Sequence, residues 1–372
     1  MKMTVVTLLF LLFLWGCQDD GIPEGTLLKT PPPVNPILRN KIETAKSFGD
    51  LFTLKRTVHL ETSKESLIGT VETLDYLPDR KMFLIFDQAT TKTIFLFDDK
   101  GKFLTKIGRK GKGPGEITDP YAVAFDHNRI VVYCWPPPRL LFFTFEGTYL
   151  EEISFMEKDW DFNPGKMVLW KNDLYVYTND PYRRTSPDGK EYRVFKLKNA
   201  HRFDRAFGKP EETFDFGEGS IIVCNDNLLY TGIFDGNIYR IDPSSNTHSI
   251  FCALGSLTDV GKIKTSQNHL QYIMTHIKDL DSMVRLSALD NVLFLERHKM
   301  MTLIDLSGKI IRKDLPKEIH LPQDFDSYAS RRGFSFYDKG IIVIANLKSG
   351  LSETNVPNPS LIIYELNTPS EN

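Results

Sequence analysis

Residues able to do chemistry are sparse in this chain, and the richest cluster is a glycine-rich loop. Ile107-Gly108-Arg109-Lys110-Gly111-Lys112-Gly113-Pro114-Gly115-Glu116 sets three cations among four glycines, a composition suited to cradling an anion with backbone N–H groups. Its spacing fits neither G-x-x-x-x-G-K-[ST] nor a G-x-G-x-x-G that opens a helix. Pro120 and the run Ala122-Val123-Ala124-Phe125-Asp126 predict a strand, so no helix N-terminus is available to the loop. The glycines are better explained by a tight crossing of the backbone. The eight histidines (59, 127, 201, 248, 269, 276, 298 and 320) show no H-E-x-x-H or related ligand spacing. His269 and His276 would lie about 10 Å apart along a helix, too far to share one ion. No G-x-S-x-G nucleophile elbow occurs. No catalytic residue, metal site or cofactor is expected.

Binding chemistry is better represented. Residues 181–193 carry Tyr182, Arg183, Arg184 and Tyr192, together with Lys190 and Arg193. Planar apolar surface mixed with cations suits contact with a carbohydrate, an anionic polymer or a protein; the plainer reading is a solvated long hairpin. A second insertion lies between Gly255 and Asp281, where Leu270, Ile273, Met274, Ile277 and Leu280 recur at helical spacing. That stripe predicts a short helix packed on the main body, or a lid over it.

Cys17 is the remaining reactive position. Lys2 precedes an apolar run from Val5 to Leu14, the length of a secretory signal core and too short for a bilayer-spanning helix, which needs roughly 20 apolar residues. Leu14-Trp15-Gly16-Cys17 follows and resembles the bacterial lipobox, with Trp15 standing where a small residue is usual. The resemblance implies cleavage after residue 16 and acylation of Cys17, and two or more acyl chains anchor a protein stably. Residues 17–50 are expected to be lipid anchor and flexible tether, since Pro23, Pro31-Pro32-Pro33 and Pro36 favour extended backbone. Gln18-Asp19-Asp20 resembles the acidic export signal of some Gram-negative lipoproteins, or is simply a solvated acidic linker. The expected location is the cell envelope, lipid-anchored at the outer membrane, on its periplasmic or its outer surface.

Composition narrows the partners and the fold. A net charge of −2 over 372 residues argues against a nucleic-acid-binding surface. Twenty-six Phe and 14 Tyr favour strands. Cys134, Cys224 and Cys252 each sit in an apolar, strand-like run, and an odd number of them excludes a complete disulfide framework. Buried thiols are expected, with one bridge left open.

Internal periodicity carries the fold. Short β-rich runs begin at Met82, Ile130, Leu174, Leu228, Val292 and Ile341, spaced 48, 44, 54, 64 and 49 residues apart. Four-stranded propeller blades recur about every 40–50 residues. A second feature repeats in phase: an apolar strand, an acidic turn and another strand. Residues 95–104 and 303–311 show it fully, 143–150 in shortened form and 239–243 loosely. The Gly in these turns supplies the positive φ that tight hairpins need. The last unit lacks its outer strand, because only the polar tail 367–372 follows residues 360–366. The strand candidate at 54–60 would complete it and close the ring.

The segment 107–116, with Pro120 and residues 122–126 after it, resembles the inter-blade segment of NHL-type propellers. More closely, it resembles the six-bladed, TolB-like propeller lipoproteins of Gram-negative bacteria. The resemblance implies no particular catalytic activity, and a propeller scaffold hosts many functions.

The expected protein is all-β: a signal peptide at 1–16, anchor and tether at 17–50, a six-bladed β-propeller at 51–366 and a polar tail at 367–372. An N-terminal strand closes the ring, and a short helical insertion lies near 263–280. Its expected role is a binding or scaffold module for an envelope protein or an extracellular glycan. The alternative is a hydrolase or lyase acting on carbohydrate or peptide in the central depression. Carboxylates or histidines gathered at the channel mouth would favour catalysis.

Overall fold

The computed structural model describes residues 31–155, 164–178, 192–208, 219–234, 236–245, 247–255, 269–276, 283–297, 299–327, 334–337, 339–348 and 357–367. Six antiparallel sheets follow one another along the chain as the blades of a β-propeller. Blades 1 to 5 are four-stranded meanders, each taking its strands in chain order from the central channel outward. Their first strands are Thr73–Leu77, Pro120–Phe125, Pro164–Trp170, Ser220–Cys224 and Met283–Leu289.

The six repeated runs prove to be the second strand of every blade, and burial explains why they were legible. Such a strand has a neighbouring sheet on each face, so both sets of alternating side chains need apolar surroundings. Phe83 and Ile85 point towards blade 6, while Leu84 and Phe86 point towards blade 2. The same alternation runs round the ring: Val131 and Tyr133 face blade 3, Tyr175 and Tyr177 face blade 4, and Val292 and Phe294 face blade 6. The core is therefore six apolar layers, one between each pair of adjacent blades. Outer strands have solvent beyond them and are largely exposed, as in Tyr149–Ser154 and Thr247–Ala253.

The acidic turns join third to fourth strands and share one geometry. Asp98 accepts from the backbone of Lys100 and Lys102, and Asp305 from that of Ser307 and Lys309. Gly101 at φ +87° and Gly308 at φ +86° complete the turns, and a Cβ at either would come within 2.2 Å of a carbonyl oxygen on the neighbouring blade. Thr144 takes the place of the Asp in the shortened copy, accepting from Glu146 and Thr148.

Blade 6 is assembled from both ends of the chain. Phe325–Ser327 and Phe334–Tyr337, both paired with Gly340–Leu347, and Ser360–Leu366 supply its inner strands, and Phe52–His59 supplies the outer one. Register runs antiparallel from Phe52 opposite Leu366 to His59 opposite Ser360, with a bulge between Leu54 and Arg56. Val58 and Leu60 fill the layer between blades 6 and 1. The expected closure is present.

The expected flexible tether does not extend to residue 50. A helix, α1 (Pro36–Thr44), begins at an Asn35 side chain that caps the Ile37 N–H, with Pro36 in the first turn. Leu38 and Ile42, one turn apart, are fully buried in the layer between blades 5 and 6. Phe48 and Leu51, in the 3-10 turn Phe48–Leu51, enter the same layer. Two apolar residues at i, i+4 are too short a pattern to stand out beside a proline-rich stretch, so the docking was invisible in sequence. The helical insertion is present as α2 (His269–His276). Ile277 and Leu280 of its expected apolar stripe lie outside the described residues.

Candidate functional site

Alternation of strand direction sorts the connections onto two ends of the ring. The hairpins joining first to second and third to fourth strands within blades span only two to five residues. At the opposite end, connections between successive blades run from eight to 29 residues, and blade 3 has 15 residues, 179–193, between its second and third strands. The strand ends that the long connections join therefore all lie at one end of a rigid scaffold, where recognition loops commonly start.

The central channel holds a cavity of about 380 Å³ walled by the first strands of all six blades. Among the described residues, Glu72, Asp75, Lys166 and Arg285 are its charged ones, and Phe86, Tyr121, Phe125, Phe334 and Phe336 its aromatic ones. Among the described residues, no histidine lines it. Glu72 donates its N–H to Phe86 O, extending the first strand of blade 1. Among the described residues there is no group of His, Cys, Asp or Glu able to hold a metal ion.

Arg285 anchors the channel wall. It donates to Phe334 O at 2.7 Å, lies 2.8 Å from the Glu296 carboxylate, and rests 4.7 Å from the Phe334 ring centroid. Lys317 Nζ approaches the other Glu296 oxygen at 2.7 Å. Burial pushes the Glu296 carboxyl up, but the Arg285 and Lys317 charges and their hydrogen bonds prevail and hold it below its ordinary range. This linkage ties blade 5 to blade 6. The only trace of it in sequence is a Glu-Arg pair closing the apolar run 292–297.

The glycine-rich loop is a crossing between blades 1 and 2. Residues Arg109–Lys110 and Glu116–Ile117 form a short parallel ladder. The acceptor that the loop holds is its own Glu116: the carboxylate takes the Gly113 N–H at 2.9 Å and lies 3.7 Å from Arg109. A Cβ on Gly108, at φ +71°, would meet Ile117 at 2.5 Å, and one on Gly111 would meet Glu116 at 2.0 Å. Those close approaches account for both glycines.

Of the sequence-derived binding residues, Tyr192 is half-buried, with its ring edge-on to Phe195 at 6.4 Å, and it packs on the layer between blades 2 and 3. Tyr182, Arg183, Arg184 and Cys17 lie outside the described residues. Cys134, Cys224 and Cys252 are free, buried thiols. Burial pushes Cys134 up to about 12 and Cys224 up to about 11, so neither is a ready nucleophile at neutral pH. The channel-lining residues were missed in sequence because first strands lack the continuous apolar run that marks second strands.

Six radial sheets around a lined channel define the molecule as a six-bladed β-propeller. The chain belongs to the family described as Domain of unknown function (DUF4934), whose model matches residues 34–296. No curated protein matches the sequence. A crystal structure of a protein described as exported, from Bacteroides fragilis, is similar with a TM-score of 0.62 at 16% identity, covering 87% of this chain and 97% of the other. A protein of unknown function from Bacteroides caccae gives a TM-score of 0.42 at 13% identity, covering 66% of this chain and 81% of its own. The RRP9 WD40 repeats give 0.47 at 11% identity, covering 84% and 100%.

Proposed function

We propose that this chain is a lipid-anchored, extracytoplasmic propeller of the NHL/TolB-like lipoprotein kind, held in the outer membrane through Cys17. It acts as a binding or scaffold module for an envelope protein or an extracellular glycan. One observation carries the reading: among the described strands, every connection of eight or more residues leaves and re-enters at the same end of the ring, while the other end has only short hairpins. The leader and Cys17 support an extracytoplasmic location, as does the similarity to a protein described as exported. No helix among the described residues is long and apolar enough to cross a membrane.

The insertion at 181–193 is the first candidate contact, since Arg and Tyr are enriched among residues whose loss costs about 2 kcal/mol or more of binding. The test is capture of a partner from native envelopes by the tagged full chain, followed by a titration. The variant Y182A/R183A/R184A should lose more than tenfold in affinity while melting as wild type does. Unchanged affinity would remove the insertion from the interface. Tyr192 is left in place because it packs on the core.

A further inference from the structure

The seam between the sixth and first blades holds a second cavity, of about 300 Å³, at the short-hairpin end of the ring. Phe83 from blade 1, with Ile342 and Ile363 from blade 6, lines it with buried apolar surface. Tyr76 and Tyr337 contribute two rings, 5.8 Å apart and nearly perpendicular. Four cations line the same cavity: Lys55 and Arg56 from the closing strand, Lys81 and Lys339 from the two facing hairpins. A single carboxylate, Glu365, opposes them and lies 3.2 Å from Lys55. Arg56 donates to the Asp99 carbonyl at 2.6 Å. Among the described residues, neither Lys81 nor Lys339 has a carboxylate partner within ion-pair distance, and both are exposed.

We propose that this seam pocket binds an acidic sugar, a pyranose bearing a carboxylate or a sulfate. The apolar face of a sugar ring packs on aromatic side chains, which Tyr76 and Tyr337 supply. Its anionic substituent meets the unpaired ammonium groups of Lys81 and Lys339. The volume lies at the small end of ligand pockets, which run from about 300 to about 1,000 Å³, and suits one or two rings rather than a macromolecular surface. A surplus of cations here is local, because the chain as a whole carries a net charge of −2. The site lies at the end of the ring opposite Thr178 and Val194, the strand ends that flank the 181–193 insertion in sequence, so it goes beyond the reading above and stands or falls separately from it.

Occupancy has a mechanical consequence. The ligand touches the closing strand, blade 6 and blade 1 together, and so bridges the join between the two ends of the chain. A ligand that binds only the closed ring raises its melting temperature as concentration exceeds Kd.

The experiment titrates the detergent-solubilised full chain with digalacturonate, with a sulfated monosaccharide and with neutral maltose, by calorimetry and by thermal shift. Saturable one-to-one binding of at least one acidic probe is expected, weakening as salt screens the cations, with no binding of maltose. The double variant K81N/K339Q should melt within about 2 °C of wild type. Asn is chosen at position 81 because the residue sits at φ +50°, a region Asn tolerates. That variant should lose at least tenfold in affinity and lose the ligand-induced rise in melting temperature. Absence of saturable binding by both acidic probes would overturn the proposal, as would maltose binding equally well or a variant that binds like wild type. Inorganic sulfate binding as tightly as the sulfated sugar would also overturn it, since the ring would then contribute nothing.

Discussion

Glu296 precedes Arg297 at the end of the apolar strand Val292–Arg297 and is only 4% exposed, yet its carboxyl is held below its ordinary range. Two cations, Arg285 and Lys317, compensate its burial, and Arg285 in turn braces Phe334 on the next blade. Removing one member of a buried pair leaves the other charge uncompensated, at a cost of about 3–5 kcal/mol. The variant E296Q should therefore lose about 3 kcal/mol in denaturant unfolding at pH 7. The sign of the pH dependence follows from the lowered carboxyl. Its contribution is complete above the ordinary glutamate value of 4.5 and is lost as pH falls through the lower folded value. The stability gap between wild type and E296Q should shrink when unfolding is repeated at progressively lower pH below 4.5. A gap that stays constant would mean the carboxylate is not what the cations hold.

Among the elements, the N-terminal strand does more than its length suggests. It covers the edge of Ser360–Leu366, which would otherwise present a row of unpaired backbone groups. It also carries Lys55 and Arg56 to the seam pocket. Truncating the first 45 residues removes α1, taking Leu38 and Ile42 out of the layer between blades 5 and 6. That loss should cost about 3–6 kcal/mol at the usual value of about 1.5–3 per buried aliphatic side chain. Truncating the first 60 removes the closing strand as well and should lower the melting temperature much further. Equal melting temperatures for the two truncations would rule out closure by this strand as a source of stability.

At the scale of the whole molecule, the proposed anchoring makes one residue, Cys17, the tie between the ring and the membrane. If Cys17 carries the acyl chains, C17S should abolish metabolic labelling by a lipid precursor and move the protein from the membrane fraction to the soluble one. The propeller lies far along the chain from that anchor, so thermal unfolding of the soluble variant should match wild type. Labelling that persists in C17S would remove the anchor from the proposed function.

Sequence alone determined the repeat, because each second strand lies between two sheets and must be apolar on both faces. It also determined the closure, since a final blade short of one strand demands a partner from the other end. The acidic turns were legible for a local reason: an Asp that caps its own hairpin and a Gly at positive φ act within a few residues. Tertiary structure alone decided the docking of α1, the Arg285–Glu296–Lys317 linkage and the seam pocket. Each joins residues far apart in the chain, such as Lys81 and Lys339, whose neighbours in sequence say nothing about which blade will face them. Packing of one blade on the next creates those neighbours. The glycine-rich loop stands between the two cases: its composition suggested an anion, and the fold supplied one in Glu116, a residue of the loop itself.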